Sequence, residues 1–311
     1  MRMYARLLPL APILLLAGCI DIGDFGDYDA YKEDFHHVYP LNSGGTVSVE
    51  TFNGSIEISG WEQDSVEVNA TKYSRTKWAV DEIHVDVNAL PTAVRVRASK
   101  PAEMFRGGGA RFTIRVPRHT TLDLISTSNG HVRIEDIEGN VQLKTSNGAI
   151  RITRLKGDLE ARTSNGAIEA DYVEGNAKLH TSNGSVRAEI AHGLCDATTS
   201  NGSINVRLSN AAAGWPMHLE SSNGHIELRV EGTQVPEVRA STSNSSIIVY
   251  LANNANAEVR ARTSHSSVYS DFDGVRTDNH RGRGEMEGRI GSGGRLLDLS
   301  SSNGSIKVLK I

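Results

Sequence analysis

The side chains able to do chemistry in this sequence are eleven histidines, two cysteines and a modest excess of carboxylates over cationic groups. Metal ligation would call for histidines four apart on a helix or cysteines paired across two residues, and no such pattern occurs, so neither a metal nor another cofactor is expected. His36 and His37 are adjacent, while His131 and His225 occupy one column of a repeat several copies apart. Cys195 falls in a column filled elsewhere by Val141, Leu159, Ala177 and Met217, which marks a small buried hydrophobe rather than a nucleophile. Solenoids that cleave glycans group carboxylates on one outward face, as acid and base or as calcium ligands. Here the matching outward column reads Glu57, Arg133, Arg151, Glu169, Arg187, Asn205, Glu227 and Lys307, and only Glu169 with Asp171 approaches a pair. The residues therefore point away from an enzyme. The run at 104–110 is rich in glycine but lacks the Gly-Lys-Ser/Thr ending of a phosphate cradle.

One cationic set stands out. Lys144, Arg162 and His180 recur at 18-residue spacing, three places before an asparagine of the repeat. On stacked coils they would lie about 5 Å apart and could grip a polyanion such as an acidic envelope glycan, although a charged solvated face explains the same residues.

The elements that must position these groups follow from the repeat. Thr-Ser-Asn-Gly or a close variant places its asparagine at Asn129, Asn147, Asn165, Asn183 and Asn201, with looser copies at Asn223, Asn244, His265 and Asn303 and an isolated one at Asn53. Three residues after the asparagine come Val132, Ile150, Ile168, Val186 and Ile204, and four before it come Ile125, Leu143, Ala161, Leu179 and Ala197. Apolar residues alternate with polar ones at period two, as in strands with one buried face. Asn-Gly also suits a hairpin. Recurrence of the same side-chain type in every column instead favours parallel coils stacked in register. The expected fold is all-β, a single-stranded parallel β-helix (β-solenoid) of about ten coils with capping segments. Parity carried through the motif places Thr145, Thr163, Thr181 and Thr199 inward, and with them the five asparagines as a buried structural ladder. Residues 41–125 read as opening coils with a cap, and residues 270–295 as an inserted loop or hairpin before the last copy at Asn303.

The ends set the compartment. Arg2 and Arg6 precede an apolar run, residues 7–16, too short to span a bilayer. The segment Leu16-Ala17-Gly18-Cys19 resembles a lipobox, which implies a signal peptide over residues 1–18 and lipidation of Cys19. Residues 19–40, with Asp21, Asp24, Asp27, Asp29, Glu33 and Asp34, read as an acidic tether, and residues 41–311 as the solenoid domain. Ile20 in place of an aspartate favours the outer membrane if the host has two. Loss of residues 1–18 removes Arg2 and Arg6 from the 33 basic residues and leaves the 37 acidic ones, a formal net charge of −6. Nucleic acid is therefore not an expected partner. With Cys19 acylated, Cys195 has no disulfide partner.

The chain resembles the bacterial envelope family of putative adhesins, built on a β-solenoid domain of unknown function. The likeness rests on Asn53-Gly54-Ser55-Ile56-Glu57-Ile58-Ser59-Gly60-Trp61, on Ile114-Arg115-Val116-Pro117, on the serial Thr-Ser-Asn-Gly elements and on Ser302-Asn303-Gly304-Ser305-Ile306. It implies a solenoid over residues 40–311 and brings no catalytic residues with it. The function expected is a lipid-anchored, non-catalytic envelope module that binds a surface polysaccharide or envelope protein, or that acts as a scaffold spacing envelope components. The alternatives are a carbohydrate-active solenoid and a scaffold that associates with itself end to end.

Overall fold

The computed structural model describes residues 30–100, 107–211 and 216–311. The expected signal peptide over residues 1–18, Cys19 and residues 20–29 of the expected tether lie outside the described residues. Among the described residues the strands form a 13-stranded and a 14-stranded sheet, and the chain alternates between them through the repeats. One coil comprises Ile150–Lys156 in the first sheet and Leu159–Arg162 in the second, and the next coil repeats this with Ile168–Glu174 and Ala177–His180. Each of these strands pairs in parallel with its counterpart 18 residues away: Ile150 lies beside Ile168 in the first sheet, and Val141 beside Leu159 in the second.

This register explains the columns. Val132, Ile150, Ile168, Val186 and Ile204 lie over one another, each at most 1% exposed, and Ile134, Ile152, Ala170, Ala188 and Val206 form the neighbouring inner column. The apolar faces of the two sheets close on a single core that runs the length of the stack. Each coil buries its inner residues only by lying between neighbours, which is why the repeat has to continue until something covers its ends.

Both ends depart from simple chain-order stacking. The strand Ile56–Trp61 lies between Gly109–Pro117 and Val132–Glu138, so the chain builds outward first and then returns past its opening coil. At the far end Leu296–Ser301 lies between Val238–Thr242 and Ala257–Thr263, and Ile306–Lys310 lies between Ile247–Leu251 and Val268–Ser270. The last copy is thus inserted beneath the coil that precedes it in sequence. The antiparallel hairpin of Val275–His280 and Arg283–Ile290 pairs with Ala257–Thr263 and covers that end of the second sheet.

The last ten residues of the stretch expected to be an acidic tether are ordered. Tyr31–Pro40 is a strand, antiparallel to Ser65–Ser74, at the edge of the first sheet. Phe35 and Tyr39 pack against the core, Asp34 accepts a hydrogen bond from Thr71 at 2.8 Å, and Glu33 pairs with Lys72 at 2.9 Å. Glu33 and Asp34 thus belong to an ordered edge strand, and residues 31–40 are part of the first sheet.

Candidate functional site

The Thr-Ser-Asn-Gly corner shows how the coils are locked together. Thr145, Thr163, Thr181 and Thr199 are each at most 4% exposed. The Thr163 hydroxyl donates to the Gly148 carbonyl of the neighbouring coil at 3.0 Å and accepts from the Gly166 amide at 3.2 Å. The same pair of bonds recurs at Thr145 and Thr181, and at Ser221, where serine supplies the hydroxyl. Glycine is required beside it because successive corners pack backbone on backbone. A Cβ on Gly166 would fall inside the van der Waals envelope of the Gly148 carbonyl.

The asparagines correct the expectation of a buried ladder. Asn129, Asn147, Asn165, Asn183 and Asn201 are all exposed. They still hydrogen-bond along the stack: the Asn147 amide nitrogen donates to Asn129 Oδ1 at 2.6 Å, and Asn165, Asn183 and Asn201 each donate to the preceding asparagine at 2.7 Å. The column continues through Asn223 and Asn244 to Asn303, whose amide donates to Asn244 at 2.9 Å. Period-two parity fails here because the chain turns between the inward threonine and the glycine, leaving the asparagine on the outside of the corner.

A second ladder lies outside the motif. The backbone amide of Asp158 donates to Asn140 Oδ1 at 3.0 Å, that of Asn176 to Asp158 Oδ1 at 2.8 Å, and that of Leu194 to Asn176 Oδ1 at 3.2 Å. Its signal in the sequence is the Asn or Asp that follows Gly139, Gly157 and Gly175.

Lys144, Arg162 and His180 come together on the outer face of the second sheet. They are register partners on three adjacent strands, and all are exposed. The column is bounded by Ser126 on one side and Thr198 on the other. Arg162 is already held by Glu160 at 2.6 Å. The parallel column of Gln142, Glu160 and Lys178 lies beside a shallow groove of about 420 Å³ that also takes in Asp123, Asn140, Asp158 and Asn176. This face therefore joins a short cationic strip to an amide- and carboxylate-lined groove. It offers an array of hydrogen-bonding groups repeated at the rung spacing of about 4.8 Å.

The other candidates resolve into structural roles. The Cys195 thiol is fully buried, and burial pushes its pKa up, the opposite of an activated nucleophile. Glu169 is ion-paired with Arg151 on the adjacent strand. Among the described residues no group of three or more His, Cys, Asp or Glu side chains is placed to hold a metal ion. No helix among them is long and apolar enough to cross a membrane.

Residues 40–249 match the family model described as Toastrack DUF4097. No curated protein matches the chain. Among solved structures, the fold is similar to that of a putative adhesin from Parabacteroides distasonis, with 9% identity over 90% of this chain and 97% of that one and a TM-score of 0.41. A putative adhesin from Bacteroides fragilis shares 15% identity over 89% and 97% of the two chains, with a TM-score of 0.36. A putative cell adhesion protein from Clostridium sporogenes shares 9% over 90% and 100%, with a TM-score of 0.24.

Proposed function

The chain belongs to the Toastrack DUF4097 family, and on that footing we propose that it is a non-catalytic, lipid-anchored binding module of the cell envelope that presents the outer face of its second sheet to an anionic surface polysaccharide. One observation carries the reading: Lys144, Arg162 and His180 stand exposed and in register on consecutive strands of the second sheet. A polymer offers anionic groups at regular intervals, and a column of basic side chains on consecutive rungs meets several of them at once. Single exposed contacts of this kind are weak and salt-sensitive, so useful affinity has to come from repetition.

The anchor is Cys19. Several acyl chains, each methylene contributing about 0.8 kcal/mol, would hold the module at the membrane surface. Residues 20–30 would then be the spacer between the lipid and the first edge strand. In a host with two membranes Ile20 directs the protein to the outer one. Changing Cys19 to Ser should release the module from the membrane fraction, and retention of that variant there would remove the anchor from the account.

The binding claim is tested with polysaccharide purified from the host envelope. At low salt, Lys144→Ser combined with Arg162→Ser should weaken binding by about tenfold. An unchanged affinity would exclude the cationic column as the binding face.

A further inference from the structure

A second site of different chemistry lies on the first sheet. In three successive coils the strand bends at one residue that has no register partner. Thr153 pairs with Asp171 and Leu155 with Val173, leaving Arg154 and Tyr172 between them, and the same gap opposite Arg154 leaves Asp136 unpaired in the ladder. Asp136, Arg154 and Tyr172 have φ of 58°, 56° and 63°. Aspartate tolerates this left-handed region, whereas arginine and tyrosine are disfavoured there. The repeat does use glycine for left-handed backbone three residues on, at Gly157 and Gly175. Bulky side chains at the corner are therefore not what the turn itself selects.

Two of the three have a visible reason. Arg154 donates to both carboxylate oxygens of Asp136, at 2.6 and 2.9 Å. Tyr172 has none: it is 59% exposed, and no hydrogen bond or charge partner holds it among the described residues. The corner is also bounded. Arg118 approaches Asp136 to 3.7 Å at one end, and at the other the strand Val186–Gly193 shifts register and has no left-handed non-glycine residue. Between these limits lies a groove of about 260 Å³ lined by Tyr172, Arg118, Arg154, Lys156, Glu138 and Glu174.

We infer that this corner is a saccharide subsite in which a hexopyranose unit of an uncharged glycan stacks on Tyr172. A pyranose presents a C–H face to an aromatic ring and a rim of hydroxyls that both donate and accept. The ring of Tyr172 supplies the platform, Glu174 and Glu138 accept from hydroxyls, and Arg118, Arg154 and Lys156, already paired with Glu62, Asp136 and Glu138, donate through their remaining N–H groups. With Asp136 included, three cations face three carboxylates, a balance that suits an uncharged ligand better than a polyanion. The volume falls below the roughly 300–1,000 Å³ of sites for drug-sized ligands, which fits one sugar unit of a chain that continues into solvent. The site lies on a different sheet from Lys144, Arg162 and His180, so it stands or falls independently of the cationic column.

The test uses the full chain in detergent micelles, with maltohexaose, cellohexaose and chitohexaose as probes in saturation-transfer NMR. At least one probe should bind the parent protein. Tyr172→Asn, which places a residue tolerant of left-handed backbone at the corner, should weaken that probe by about tenfold without lowering the thermal midpoint. Tyr172→Phe should retain binding, and the double variant Lys144→Ser with Arg162→Ser should bind as the parent does. The inference is overturned if no probe binds at about 10 mM, if Tyr172→Asn binds within about twofold of the parent, or if only the double variant loses binding. A lowered thermal midpoint in both Tyr172 variants would also overturn it, because the ring would then be structural.

Discussion

Replacing Thr163 by valine removes one hydroxyl and almost nothing else, so it isolates what holds neighbouring coils together. That hydroxyl serves two backbone groups at once, the Gly148 carbonyl at 3.0 Å and the Gly166 amide at 3.2 Å, in a position only 4% exposed. Valine keeps the volume and the β-branch but leaves both groups without this partner. Each buried group left unsatisfied costs about 1–3 kcal/mol, and some relaxation at a corner is expected, so the variant should lose about 2–4 kcal/mol. Serine keeps both bonds and removes one methyl, at a cost of about 1 kcal/mol. The protein already contains this control: Ser221 donates to the Gly202 carbonyl at 3.0 Å and accepts from the Gly224 amide at 2.9 Å. Urea unfolding of the full chain, followed by circular dichroism, should rank parent above Thr163→Ser and Thr163→Ser above Thr163→Val. A valine variant as stable as the serine variant would refute the claim that the hydroxyl, rather than the packing around it, locks the corner.

Other outcomes follow from the same geometry. Gly166→Ala should destabilise the fold more than Thr163→Ser, because its Cβ meets backbone of the adjacent corner that cannot rotate away; equal urea midpoints would contradict that close packing. Cys195 should stay unmodified by a thiol reagent in the native protein and react once urea unfolds it, since burial both shields the thiol and raises its pKa; rapid native labelling would contradict the buried column. The Arg154 guanidinium beside Asp136 holds that carboxyl below its ordinary value of 3.8. Its pairing therefore supports the fold above about pH 4, and that support is lost as pH falls through the lower folded-state value. Asp136→Asn should flatten this part of the acid-unfolding curve, modestly and less at high salt because the pair is partly exposed; an unchanged curve would count against the pairing.

Much of the fold was legible because the interior repeats a side-chain type at a fixed spacing. The aliphatic columns at Val132, Ile150 and Ile168 and the threonines at Thr145, Thr163 and Thr181 all stand inward. What stayed hidden lies where the chain stops being a strand. Alternation counted across a corner places Asn147 and its equivalents inside, yet they face water and are joined by amide bonds on the outside of the turn. The acidic character of residues 31–40 conceals an edge strand held by Phe35 and Tyr39. Chain order suggests chain-order stacking, but the last copy sits beneath the one before it, because an end coil needs a cover and the hairpin at 275–290 supplies it. The left-handed corner at Asp136, Arg154 and Tyr172 leaves no compositional trace, since three different residue types fill one geometric position. Of the candidate site, the alignment of Lys144, Arg162 and His180 follows from the period alone. The pairing of Arg162 with Glu160 and the groove beside it depend on side-chain directions that spacing does not encode.

The vertical registration of outward side chains underlies both proposed binding surfaces, and engineered cysteines test it directly. Register partners on adjacent parallel strands lie about 4.8 Å apart, within the Cα separation a disulfide allows, and residues two coils apart lie near ~10 Å, beyond it. Lys144→Cys with Arg162→Cys should form a disulfide in high yield under mild oxidation, and Lys144→Cys with His180→Cys should not. Cross-linking of the second pair, or none of the first, would contradict the coil-upon-coil register.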